Sequence, residues 1–312
     1  MLLTEYAKTA FNEGKFVKAN IVEMFARASA WLALINFETI QGNAYAYNVE
    51  GELPGVAFRG VNESFTPSTG VINPMIEALR ISGGDLQFDN FLMRTLGEGR
   101  RSQEENMKVK ALAAAITLKL IKGDSTVDPR EFDGLQARIV NDQLIAAGTT
   151  DNGDPLSLAK MDELIDAVPG CNAILLNKAM RRRFTAAART PSLAGNIEMT
   201  KDEFGRPQTT YAGIPLVIPY PENDGVEPLA FDEQGDVKGT PGGASSTSIY
   251  AVRLGTDGVM GIQSQPMSVR DLGEMHNDPK QVTRVEWDIG LVVNHGRAAA
   301  RLGGISNAAI VA

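Results

Sequence analysis

Apolar and polar residues change their spacing several times along this chain, and each change predicts a different element. Over Val17–Ile40 the apolar positions Ile21, Met24, Phe25, Ala28, Leu32 and Ile35 recur at helical intervals, with Gly42 as a stop. The helical period then vanishes from Asn43 to Met75. Glycines and prolines punctuate this stretch, and Tyr45, Tyr47, Val49 and then Val56 and Phe58 alternate with polar residues. Such alternation predicts an extended two-stranded arm rather than a floppy loop. Strands of about fifteen residues reach roughly 50 Å. An arm of that length cannot bury its apolar face on its own domain, so its expected partner is another subunit. The expected contact residues are Tyr45, Tyr47, Val49, Glu50, Val56, Phe58, Arg59, Glu63 and Phe65.

From Ile76 to Leu96 the period is mixed, and Gly83-Gly84-Asp85 reads as a turn between one or two strands. Ser102–Lys122 is the clearest helix. Ser102 and Glu105 form a capping-box pattern, and Lys119 and Lys122 sit at the negative end of the helix dipole. Val109, Leu112, Ala113, Ile116 and Leu120 make one apolar stripe, and Gly123 closes the helix. At a rise of about 1.5 Å per residue it is roughly 30 Å long, the spine of a domain.

Beyond the loop Gly148–Pro155, taken as a lobe boundary, the pattern is mixed α/β. It predicts a short helix from Leu158 to Val168, a buried strand from Ala173 to Leu176 and a helix from Lys178 to Arg189. A strand from Thr209 to Ile218 bends at Pro215, and Ile249–Leu254 pairs with Val259–Ile262 around Asp257-Gly258. The last long strand alternates strictly through Val285, Trp287, Ile289, Leu291 and Val293, and ends in Ala298–Leu302.

Composition narrows the function. Among 312 residues, 43% are hydrophobic and 22% charged, the balance of a soluble globular protein. No apolar run is long enough to span a membrane, and the first residues lack a secretory pattern. A net charge of −8 argues against a general nucleic-acid grip. The lone Cys171, beside an apolar run, reads as a small buried hydrophobe rather than a nucleophile.

Catalytic motifs are weak. Gly97-Glu98-Gly99 is half a dinucleotide fingerprint, and no P-loop or nucleophile elbow occurs. The acidic group Asp124, Asp128, Glu131 and Asp133 misses the calcium-loop spacing at Thr126. Arg181-Arg182-Arg183 is the sharpest basic cluster. It and Arg100-Arg101 read as partners for acidic loops of a neighbouring subunit ahead of phosphate contacts. No catalytic, cofactor or metal residue is expected.

The order of these parts resembles the major capsid proteins of tailed bacteriophages, the Hong Kong 97-type shell fold. Glu131-Phe-Asp-Gly-Leu135, Ala173-Ile-Leu-Leu-Asn-Lys-Ala-Met180, Tyr211–Pro219 and Val285–Arg301 resemble that family's entry into its inserted lobe, its strand-to-helix step, its proline-bearing strand and its final strand. The resemblance implies an α+β subunit in five segments. These are an amino-terminal arm and helix (1–42), an extended loop (43–75), a peripheral domain with the spine helix (76–150), an axial α/β domain (151–267) and a closing peripheral strand (268–312). It implies self-assembly as pentamers and hexamers into an icosahedral shell in the virion, assembled in the host bacterial cytoplasm around double-stranded DNA that is not read by sequence. It further implies a portal, a separate scaffolding protein, a possible decoration protein and no cofactor. Some members weld subunits through a lysine in the extended loop, yet this chain has no lysine between Lys18 and Lys108. The competing readings are an encapsulin-type nanocompartment shell and a soluble α/β nucleotide-binding enzyme.

Overall fold

The computed structural model describes residues 2–13, 23, 28–96, 98–191, 195, 197–201, 207–220, 227–235, 237–238 and 243–311. The first helices given bounds among the described residues are α1 (Leu3–Asn12) and α2 (Ala30–Leu34). Ser29 caps α2 by accepting from Leu32 N at 3.3 Å, and its hydroxyl donates to Pro219 O at 2.8 Å. The single helix expected over Val17–Ile40 is thus broken at Ser29, whose backbone is extended, and its last helical residue is Leu34; residues 17–22 and 24–27 lie outside the described set. The chain turns extended at Ile35, and Phe37 then joins a sheet. Strand β1 (Phe37–Thr39) pairs in parallel with a distant strand, and the Phe37 ring packs 4.8 Å from that of Trp287.

The arm follows as a hairpin of β2 (Ala44–Glu52) and β3 (Val71–Ala78), with Ala44 opposite Ala78 and Glu52 opposite Val71. Its return strand begins later than the sequence suggests, so Val56 and Phe58 belong to an irregular tip over 53–70. Strand β4 (Arg80–Asp89) then runs unbroken through Gly83-Gly84, where a turn was expected. Gly83 serves close packing instead, because a Cβ there would overlap the Val285 carbonyl, whereas one on Gly84 would meet only the movable end of the Lys108 side chain.

Helices α3 (Asn90–Leu96) and α4 (Glu98–Lys122) come next, α4 being the expected spine. It starts before Ser102, which is therefore inside the helix and not its cap. Its 25 residues span roughly 37 Å. The short helix α5 (Leu135–Arg138) and strand β5 (Leu144–Ala146) lead into the second lobe.

That lobe contains α6 (Leu158–Asp166), β6 (Ala173–Leu175) and α7 (Lys178–Ala187), close to expectation. Strands β7 (Ile197–Lys201), β8 (Pro207–Tyr211) and β9 (Ile214–Val217) form a meander. The single bent strand expected over Thr209–Ile218 is really the hairpin β8–β9. Ala212 and Gly213 both adopt positive φ, 49° and 78°, which is the geometry of a tight hairpin turn.

Strands β10 (Glu233–Gln234) and β11 (Ala244–Val252) complete the middle of the chain, and β12 (Val259–Gln263), β13 (Ser268–Glu274), β14 (Lys280–Val293) and β15 (Ala299–Ile305) its end.

Among the described residues the strands make three sheets. One is the arm hairpin. A five-stranded sheet centres on β14, flanked by β4 on one side and by β12 and β13 on the other, with β1 outside β12. An eight-stranded sheet runs β5-β15-β11-β6-β9-β8-β7, with β10 on β11. Strands β11 and β12, expected to pair, therefore stand in different sheets. The expected segment borders differ from the sheets in the same way: β12 lies with the first lobe, whereas β5 and the terminal β15 lie with the second. One core joins Trp31, Leu32, Ile35 and Phe37 to the α4 stripe and to Trp287, Ile289 and Leu291. A second packs α6 and α7 against the eight-stranded sheet through Met161, Leu164, Met180 and Phe184.

Candidate functional site

The arm separates into a seated root and a bare tip. In the tip Leu53, Val56, Phe58 and Val61 are 81%, 92%, 103% and 91% exposed, with Phe65 at 61%. A run of large apolar side chains this open marks an interaction surface more than ordinary surface scatter does. The tip is nonetheless organised. Asn62 turns the chain with φ 68°. Gly60 N donates to Glu63 Oε2 at 2.8 Å and Arg59 Nη1 to Glu63 O at 3.1 Å, while the Arg59 guanidinium lies 5.4 Å from the Phe65 ring centre. Ser68 Oγ donates across the tip to Gly55 O at 2.8 Å. Arg59 and Glu63 thus shape the tip and leave Phe58 presented.

The root differs from expectation. Tyr45 and Tyr47 are half-buried against Met260, Ile262 and Val292 of the chain's own five-stranded sheet. Their ring centres stack 6.0 Å apart. The period-2 alternation placed them on one face correctly, but that face meets its own body. Val49 is half-buried and Glu50 exposed. The opposite face carries Ile72 and Ile76, 63% and 71% exposed, which the sequence reading missed. Their spacing of four with Pro74 between was the available signal.

A charge pair at the root also went unforeseen. Arg138 Nη2 donates to Glu77 Oε2 at 2.7 Å, Nη1 to Glu77 Oε1, and Tyr47 Oη to Glu77 Oε1 at 3.4 Å. Burial works against the Arg138 charge, yet Glu77 outweighs it and raises the guanidinium pKa above its ordinary value. Burial, and then the Glu77 charge, push the Tyr47 hydroxyl up.

The basic candidates scatter. Arg101 is engaged within the chain by Glu105, Asp271, Gln281 and Thr283, so the inter-subunit role expected for it gives way to a helix-to-sheet tie. Arg100 lies in α4, with its side chain outside the described set. Arg183 donates to Asn307 O at 2.9 Å, whereas Arg181 and Arg182 are exposed on α7. These residues and the arm tip do not form one site.

Gly97 lies outside the described residues. The acidic group serves its own loop: Asp124 accepts from Thr126, Asp128 from Arg130 N and Asp133 from Ser125 N. Cys171 is half-buried, and burial pushes its thiol up. A cleft of about 360 Å³ is lined by Lys122, Gln136, Glu233 and Arg301. Its charges compensate one another, with Lys122 Nζ 2.7 Å from Asp232 and 3.2 Å from Glu233, and Arg301 Nη2 2.9 Å from Glu233. The cleft is a structural junction between the spine helix and the eight-stranded sheet. Among the described residues no helix is long and apolar enough to cross a membrane.

Comparison with known proteins decides what this architecture is. Residues 12–157 match the family model of the major capsid protein GP7. The chain carries the Hong Kong 97-type shell fold. Its fold matches the holo-SrpI encapsulin complex from Synechococcus elongatus PCC 7942 with a TM-score of 0.62 at 18% identity, over 88% of this chain and 86% of that one. It matches Mycobacterium phage Bobi with a TM-score of 0.59 at 12% identity, over 91% and 90% of the two chains. The capsid of an empty GTA particle gives 0.58 at 14%, over 89% and 90%. No curated protein sequence matches the chain. The GP7 match runs through the arm and the spine helix. It ranks the phage capsid reading above the encapsulin one, since the fold is common to both.

Proposed function

We propose that this chain is the major capsid protein of a tailed phage, a structural subunit that assembles with copies of itself into an icosahedral shell around double-stranded DNA. The observation that carries this reading is the GP7 match over residues 12–157, joined to a shell fold that covers about nine-tenths of the chain. The exposed tip supports it, because its apolar residues have no cover within the described chain. In this reading the tip packs on an adjacent subunit and the lobe built on the eight-stranded sheet meets its copies around the five- and sixfold axes. The exposed Arg181 and Arg182 face neighbouring subunits. Assembly takes place in the host cytoplasm with a separate scaffolding protein and a portal, and a decoration protein is compatible with it. With no lysine in the arm, the shell holds without isopeptide links from this loop.

The second reading, an encapsulin-type compartment, draws on the likeness to the Synechococcus elongatus protein. Electron microscopy of particles purified from the native source separates the two: genome-filled shells with tails support the phage reading, and cargo-filled shells without tails support the compartment. Absence of any shell refutes both.

A further inference from the structure

We propose that Glu77 and Arg138 act as an orientation clamp that fixes the direction in which the arm leaves the body. The inference deepens the shell reading, because an arm that must reach a neighbour has to leave its own subunit at a defined angle.

The clamp joins three parts of the chain. Glu77 lies at the body end of β3, directly opposite Tyr45 of β2. Arg138 closes α5 and donates through Nε to Asp133 O at 2.9 Å, so its guanidinium is aimed before it meets the carboxylate. Both side chains are largely withdrawn from solvent, at 11% and 16% exposure. Just beyond Glu77, Arg80 Nε donates to Glu131 O at 3.2 Å. The segment that carries these partners is itself tied to the end of the spine helix: Gly134 N donates to Gly123 O at 2.9 Å, and Lys119 pairs with Glu131. The arm root is therefore referenced to the spine helix through Arg138.

Backbone ladders hold the segments on either side of the arm, with Ile40 N donating to Gln263 O at 2.9 Å and Arg80 paired with Ile289, whereas the side-chain contacts of the arm's own strands with the sheet below are of a different kind. Tyr45 and Tyr47 rest on Met260, Ile262 and Val292 through apolar surface, which holds the arm down without choosing its angle. A bidentate guanidinium–carboxylate fork is planar and directional, and it defines an angle where apolar contact does not. The Tyr47 hydroxyl on Glu77 brings the outgoing strand under the same control.

The test uses the full-length chain with Cys171→Ala, spin labels at Phe58→Cys on the tip and Met107→Cys on the spine helix, and dispersed subunits at low concentration. The distance between labels is read by double electron–electron resonance. The expected result is one narrow distribution in the parent and at least a twofold broadening in Arg138→Met and in Glu77→Gln. The near-ultraviolet signal of Trp31 and Trp287 should be unchanged throughout, which a general loss of folding would not allow. An equally narrow distribution in the single variants, or a broad one in the parent, overturns the clamp. The distance is measured within one dispersed chain, so the clamp and the shell reading fail independently.

Discussion

Arg101 Nη2 of the spine helix lies 2.6 Å from Asp271 Oδ2 of β13, and the same guanidinium reaches Gln281 Oε1 at 2.6 Å, Thr283 Oγ1 at 2.9 Å and Glu105 Oε1 at 3.0 Å. One side chain thus stitches the helix to two strands of the five-stranded sheet. Arg101→Ala is expected to lower folding stability by about 2 kcal/mol, the usual loss for charge-assisted hydrogen bonds that are partly shielded. Arg101→Lys should recover only a minor part, because an ammonium cannot fork to these acceptors. Urea unfolding of dispersed subunits checks both.

A second expectation concerns Gly261. It stands opposite Phe37 in the parallel β1–β12 pair, and a Cβ there would overlap the Phe37 ring, which is already wedged against Trp287. Gly261→Ala should destabilise by about 1–3 kcal/mol through overpacking. The paired change of Gly261→Ala with Phe37→Leu should cost less than the two single effects summed, and a double-mutant cycle measures the difference.

Acid should loosen the subunit. The Arg284 hydrogen bonds hold Asp85 below the ordinary aspartate value of 3.8. The Gly273 N–H, followed by Arg101, does the same for Asp271, and Thr126 does so for Asp124. Each folded-state pKa is depressed, so the stability these groups supply is present above the unfolded value and is lost as pH falls through the folded one. Stability measured from pH 6 to pH 2 should fall below about pH 4, and Asp271→Asn should flatten that fall.

The tip should be separable from the fold. Glu52 and Val71 face each other across the hairpin, so residues 53–70 can be replaced by Asn-Gly, a natural two-residue hairpin turn. The shortened chain is expected to keep the far-ultraviolet spectrum and melting point of the subunit within a few degrees while no longer closing into particles. Normal particles from this variant in electron micrographs would count against the proposed role of the tip.

How far the sequence foretold this structure depends on where each segment finds its partners. Helix α4 and strand β14 were legible because their periods of 3.6 and 2 match buried faces, from Val109 through Ile116 and Leu120 in the second half of the helix and through Val285, Trp287 and Ile289 in the strand. The arm was legible as an arm, but its pairing was not. The return strand is Val71–Ala78, whose Pro74 and exposed Ile72 and Ile76 give little local signal. Gly83-Gly84 misled because glycine marks both turns and close approaches, and only the packing of the Val285 backbone on Gly83 distinguishes them. The Ala212-Gly213 turn lacks the asparagine or aspartate that usually announces it. The Glu77–Arg138 pair joins residues 61 positions apart, beyond any local pattern.

The central claim is that the exposed tip, led by Phe58, packs against another copy of the chain. A photo-reactive phenylalanine analogue at position 58 tests it most directly, in assembled particles irradiated and then analysed by denaturing gel and mass spectrometry. The account predicts covalent dimers whose joined peptides come from two copies, identified by mixing isotopically light and heavy chains before assembly. Adducts confined to single chains, with position 58 joined to its own body, would contradict it.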